Sequence, residues 1–174
     1  MNEIPKESLK TRLFRYGINL YPMYFGTGGR LIYLAGDWTR ATVRLKLSLF
    51  TRNYVGTIFG GSMFAAADPF HMVLLINILG PQFIVWDKAG RIDFKKPGRG
   101  RIEAKFVYTT EEVTTIREAT LKDGSYEFKK SVPWIDEQGD IVSIFEKTVY
   151  VATKEFFKQR QQAKAETAAA SRPT

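Results

Sequence analysis

The stretch NYVGTIFGGSMFAAADPFHMVLLINILG, residues 53–80, decides how the rest of the chain is read. A glycine-rich turn (Gly56, Gly60, Gly61) leads into one long apolar segment, and Gly80 with Pro81 supplies a helix stop signal. From Ser62 to Leu79 only Asp68, His71 and Asn77 interrupt the apolar run strongly. A helix apolar on every face either spans a membrane or lies inside a protein core. Asp68 and Pro69 divide the run, leaving too short an uninterrupted stretch for a comfortable span. The segment is therefore expected to be a core helix wrapped by a sheet.

Asp68 stands in the middle of that helix. A carboxylate among Phe64, Ala65, Met72 and Leu75 is costly unless it is paired, hydrogen-bonded or protonated. Such a cost marks a functional candidate. The alternative is that Asp68 faces a polar seam and caps a break at Pro69.

Composition narrows the field. A chain of 174 residues fits one domain with a substantial core. The absence of cysteine excludes disulfides, thiolate metal sites and cysteine nucleophiles, and a single histidine makes any metal site unexpected. No cofactor is implied. The charged N-terminus lacks the apolar core of a secretory signal, so the expected compartment is the cytoplasm. The net charge is +8, but residues 1–15 carry four bases against two acids and residues 154–174 five against two. Only +3 remains for residues 16–153, so no nucleic-acid partner is expected.

Residues 6–25 read as a short helix, with Leu9, Leu13 and Tyr16 at helical spacing among Lys10, Arg12 and Arg15, followed by a turn around Pro22 and Gly26–Gly29. A helix lying across the edge of the core accounts for this; a basic amphipathic helix could also touch a membrane, but stable insertion is not expected. Leu31–Trp38 reads as a strand, and residues 41–49 alternate cleanly as a half-buried one. After the long helix, Phe83–Trp86 and Arg91–Phe94 form one strand or a bent pair around Ala89–Gly90. Ile102–Tyr108 alternates again. Thr109 and Glu112 form a capping box for a short helix ending at Asp123–Gly124. Tyr126–Ile135 and Ile141–Ala152 are strands joined by a hairpin signal at residues 136–139. Residues 154–174 form a polar tail that starts helical and frays. The expected organisation is an N-terminal helix and turn over 1–28, one domain over 29–153, and the tail. Its class is α+β, one sheet curling around one helix.

This order resembles the hotdog fold, an antiparallel sheet wrapped around one long central helix. The run Asn53-x-x-Gly56-x-x-Phe59-Gly60-Gly61, with Asp68 seven residues after the second glycine, resembles the phenylacetyl-CoA-type acyl-CoA thioesterases, whose pattern reads Asn, then His-Gly-Gly, then Asp. Residues 92–100 look like that family's strand ending in a Pro/Gly turn. The Asp68–Pro69 pair and the Glu-containing helix resemble an uncharacterised hotdog family labelled only as a domain of unknown function (DUF4442).

The resemblance implies a site. Gly60 and Gly61, at a helix start, would offer free backbone N–H groups to a thioester carbonyl, aided by the helix dipole, as an oxyanion hole. Asp68 would activate water or attack directly. Asn53 would orient the water or the carbonyl. Phe59, Phe64 and Met72 would shape an acyl pocket, while Lys95, Lys96 and Arg99 could meet CoA phosphates or simply form a solvated face. Seven residues of helix span about 10 Å, whereas one reacting carbon must lie about 3 Å from both the attacking group and the donors. One copy cannot supply both ends. Two helices antiparallel across a two-fold axis could, so a homodimer, or a dimer of dimers, is expected to act on an acyl-CoA or other acyl thioester.

Two departures favour the alternative of a non-catalytic hotdog protein that binds acyl-CoA or a fatty acyl chain. Phe59 replaces the family's histidine, and Pro69 removes a helical N–H and bends the chain beside Asp68. His71, on a neighbouring face, is a candidate to tune Asp68 or act as another base, or it is structural. The paired histidine and acid of hotdog dehydratases are not found.

Overall fold

A computed structural model describes residues 5–170, with side chains as far as residue 164. The elements in order are α1 (Leu9–Leu20), α2 (Pro22–Phe25), β1 (Arg30–Leu34), β2 (Arg40–Lys46), α3 (Gly60–Ala67), α4 (Phe70–Leu79), β3 (Phe83–Phe94), β4 (Arg101–Val107), α5 (Thr110–Asp123), β5 (Ser125–Asp136), β6 (Ile141–Thr153) and α6 (Lys154–Ala170). The six strands form one antiparallel sheet in the order β1-β2-β4-β5-β6-β3. The expected fraying at the end of the tail falls partly outside the described residues.

Local chemistry explains most boundaries. In β2, Ala41, Val43 and Leu45 alternate inward and are essentially fully buried. The Thr109–Glu112 capping box opens α5, and Gly124 in the left-handed conformation follows its end. Gly80, also at positive φ, caps α4. Pro69 cannot donate an N–H, so the long helix is two segments, α3 and α4, meeting at Asp68–Pro69. Two strands are shorter than expected. β2 ends at Lys46 rather than at residue 49. β1 stops at Leu34 because Trp38 takes a φ of 65° and the chain turns there, with Ala35 donating to the Arg40 carbonyl. Pro22 starts a one-turn helix where a turn was expected.

The central helix lies in the sheet's concave face. Met63, Ala66, Ala67, Phe70, Leu74 and Leu75 are buried there among inward residues of the strands. Residues 60–79 are long and apolar enough to cross a bilayer by composition, yet half of that window is buried inside the protein, as a core helix is. The indole N–H of Trp134, itself fully buried, donates to the Met63 carbonyl at 3.1 Å and ties α3 to β5. Just ahead of β1, Gly29 leaves no room against the helix: a Cβ there would lie 2.6 Å from the Ala66 Cβ. Gly29→Ala is expected to cost about 1–3 kcal/mol by overpacking, read as a lower urea midpoint with an unchanged m value.

The two edges of the sheet differ. Asn19 on α1 donates to the Leu31 carbonyl and accepts from the Leu31 N–H, both at 2.8 Å, occupying the free side of β1 as a strand would. Tyr33 also bonds the Pro5 carbonyl, and Glu7 accepts from the Leu34 N–H at 3.0 Å. At the other edge β3 pairs only with β6 and offers a twelve-residue outer side. Between the edges, β4 and β5 pair over just Ile102–Ala104 before α5 packs against β5 and β6.

Candidate active site

The residues that precede α3 form a tight hairpin. Asn53 N–H donates to the Thr57 carbonyl at 2.8 Å, and Phe59 N–H to the Thr51 carbonyl at 2.7 Å. The Asn53 side chain is its clamp: Oδ1 accepts from the Val55 and Thr57 N–H groups at 3.1 and 3.0 Å, and Nδ2 donates to Thr57 Oγ1 at 2.9 Å. Both amide oxygen lone pairs are thereby engaged, leaving one amide N–H for any other partner. The hairpin delivers Phe59 as the N-cap of α3, with no side chain capping the helix. The first N–H groups of α3, those of Gly60 and Gly61, therefore face outward with the positive end of the helix dipole.

A cavity of about 420 Å³ opens at this point, lined chiefly by Asn53, Thr57, Gly60, Met63, Phe94 and Lys95. Aromatic rings approach Gly60 and Gly61 closely. A Cβ on Gly60 would sit 2.5 Å from the Phe94 ring, and one on Gly61 would sit 2.3 Å from the Phe59 ring. Lys96 also lines the cavity, but its ammonium is bound at 2.6 Å by both Asp136 and Asp140, and those hydrogen bonds push it up from the usual lysine range. Arg99 is exposed and does not line the cavity.

Asp68 does not line that cavity either. It ends α3, at the break before Pro69, and its side chain is 43% exposed. It is not stranded among apolar neighbours, as expected from the sequence; its carboxylate is bonded to the Lys147 ammonium from β6. Lys147 is only 5% exposed and also lies 3.2 Å from Asp87 on β3. The Asp87 Oδ1 is buried with no partner among the described residues. Burial pushes the Asp87 carboxyl up, while the Lys147 ammonium pulls it down. Phe64 roofs the cluster: it packs edge-on to Phe145 at 5.1 Å, beneath Lys147 at 5.8 Å, and lies close enough to β3 that only Gly90 fits under it. Met72 is half-buried and packs on the core.

His71 is a core residue. It is 1% exposed, its Nδ1 lies 3.0 Å from the Tyr108 hydroxyl, and the rings of Phe106, Tyr108 and Phe145 surround it. It lines no part of the cavity at Gly60, so the structure gives it no role as an alternative base there. Burial first, then Lys130 and Lys147, lowers its pKa to about 3. A folded pKa below the unfolded value of about 6.5 makes the neutral ring a source of stability above that pH, lost progressively as the pH falls towards the folded value. Urea unfolding between pH 6.5 and 5, above most carboxylate titrations, should lose roughly 1 kcal/mol per pH unit. His71→Phe should flatten that slope.

Lys147 is the site residue that sequence reading missed. The signal was its parity: Ser143, Phe145, Lys147, Val149 and Val151 share one face of β6 and are all buried. An inward lysine needs an acid.

The chain matches the family model described as Domain of unknown function (DUF4442) over residues 10–151, and it belongs to that family. Its architecture is the hotdog fold. A probable thioesterase from Pseudomonas aeruginosa superposes with a TM-score of 0.72 at 18% identity, over 87% of this chain and 99% of that one. A thioesterase from Haemophilus influenzae gives 0.62 at 11% identity, over 87% and 96%. The phenylacetic acid degradation protein PaaI of Thermus thermophilus gives 0.52 at 26% identity, over 74% and 97%. No curated protein matches the chain.

Proposed function

We propose that the protein is a thioesterase that hydrolyses an acyl-CoA or related acyl thioester at a site shared by two chains. The observation that carries this reading is the separation of parts along one helix. The N–H groups of Gly60 and Gly61, without a partner among the described residues, lie at one end of α3 with the cavity that Gly60 lines, and Asp68 lies at the other end, outside that cavity. A second copy with α3 antiparallel would bring its Asp68 to the first chain's Gly60–Gly61 end. Gly60 and Gly61 then polarise the thioester carbonyl. Asp68, held in orientation by Lys147, takes a proton from the water that attacks the carbonyl carbon, or attacks that carbon itself to form a mixed anhydride that water then hydrolyses. In either route the C–S bond breaks and the thiolate leaves with the proton that the water gives up. Phe59, Phe64 and Met72 would contribute apolar surface for the acyl chain, and Lys95, which lines the cavity, would meet a phosphate.

Two features support the pairing. β3 is the open edge and β1 the occupied one, so a second sheet has one place to add. Leu49, Phe50, Tyr54, Val55 and Phe59, between 55% and 105% exposed, crowd the segment leading into α3 and would be covered by a partner. The second reading, an acyl-binding protein without catalysis, is favoured by the Lys147 ion pair that already engages Asp68. Free-thiol release from short, medium, long and aryl acyl-CoAs separates the two. Release from at least one, by a protein that sediments as a dimer or larger, supports the enzyme; binding without release of thiol overturns it.

A further inference from the structure

We propose that the outward face of α1 and α2 docks the protein on an anionic lipid surface. α1 has two faces. Thr11 is buried and Phe14 and Ile18 pack on the core, Phe14 edge-on to Trp38 at 5.1 Å. On the opposite side Leu9, Leu13, Tyr16 and Leu20 recur every three or four residues and are 71, 63, 55 and 77% exposed. Met23 and Phe25 on α2 extend the apolar surface at 76 and 53% exposed. Scattered apolar residues are ordinary on a protein surface, but a continuous stripe of six marks a contact.

The charges around the stripe select the occupant. At about 100° per residue, Lys10 and Arg12 fall within roughly a quarter turn on either side of it. Both are exposed, and neither is in an ion pair among the described residues. α1 contains no acidic residue. Glu7, just ahead of it, is held by Arg15 at 2.8 Å and by the Leu34 N–H. A two-fold contact of this face with its own copy would set the bases of one α1 against those of the other, since α1 itself carries no carboxylate to pair with them. Anionic headgroups complement the same arrangement: the apolar stripe enters the acyl boundary while lysine, arginine and tyrosine ends stay at headgroup level. The face is rigid before it binds, because Asn19 and Tyr33 strap the segment to β1. It lies at the edge opposite β3, so it stays free when β3 is covered.

The test is flotation of the full chain with vesicles of phosphatidylcholine alone or with added phosphatidylglycerol. Wild type is expected to float with the anionic vesicles and much less with the neutral ones. Leu13→Ser/Leu20→Ser should lower binding at least about tenfold, and Lys10→Gln/Arg12→Gln or added salt should also weaken it. Circular dichroism and sedimentation confirm that each variant keeps its fold and size. No flotation of wild type with either vesicle overturns the proposal. So does undiminished flotation of the leucine variant, or a leucine variant that falls to a smaller oligomer, which would assign the face to a second copy.

Discussion

Asp68→Asn is expected, if the proposed function holds, to lower thiol release from the best acyl-CoA by roughly 10²- to 10⁴-fold, the loss that follows when a base or nucleophile is removed. The substitution keeps an oxygen for Lys147 to bond and changes a side chain that is 43% exposed, so folding should be nearly unaffected. Thermal melting within a few degrees of wild type and an unchanged sedimentation coefficient are the controls. Mixed oligomers give the sharper result. If the acid of one copy serves the glycine end of the other, Asp68→Asn chains combined with chains damaged at Gly60 recover one intact site per pair. A variant as active as wild type would sink the mechanism, and no histidine stands ready to replace it, because His71 is buried and bonded to Tyr108.

Lys147→Met costs about 3 kcal/mol of stability, the lower end of what breaking a buried ion pair by removing one partner produces. The loss comes from the more enclosed half of the cluster. Lys147 and Asp87 side chains are 6% and 14% exposed, whereas the Asp68 carboxylate reaches water and recovers solvation when its partner goes. Asp87→Asn in the Lys147→Met background should return part of the loss, since a neutral amide replaces an unpaired carboxylate. Urea unfolding of the two singles and the double closes the cycle. A loss below about 1 kcal/mol would mean that water reaches Asp87 and the cluster does not set stability. If the variant folds well enough to assay, kcat should fall with KM little changed, because Asp68 loses its orientation and the cavity at Gly60 is untouched.

Local signals in the sequence were read correctly where one residue type dictates one backbone state. Pro69 divides the helix, Gly80 and Gly124 end helices at positive φ, and Thr109 with Glu112 opens α5. Alternation from Ala41 located β2, although β2 itself ends at Lys46. The end of β1 was not legible: Trp38 is in the left-handed conformation, which its residue type does not signal, and its ring packs on Phe14, 24 residues distant in sequence. The site was half legible. Asn53, Gly60, Gly61 and Asp68 carry a recognisable spacing, but partners chosen across the sheet carry none. Lys147 joins Asp68 from 79 residues away, and Asp136 joins Lys96 from the end of β5. Asn53 shows the opposite limit: its identity suggested chemistry, whereas its three bonds hold the loop that shapes the cavity.

The clasp of Asn19 on Leu31 has a consequence for growth. A sheet with two bare sides is a monomer in the polymer sense: each copy accepts another on the left and on the right, and the chain of copies has no natural end. Stoppering β1 with two side-chain bonds converts a bifunctional unit into a monofunctional one, and an addition through β3, if copies pair there, would terminate after a single step. On this view α1 is a chain terminator as well as a surface, and losing it would turn a finite particle into a filament.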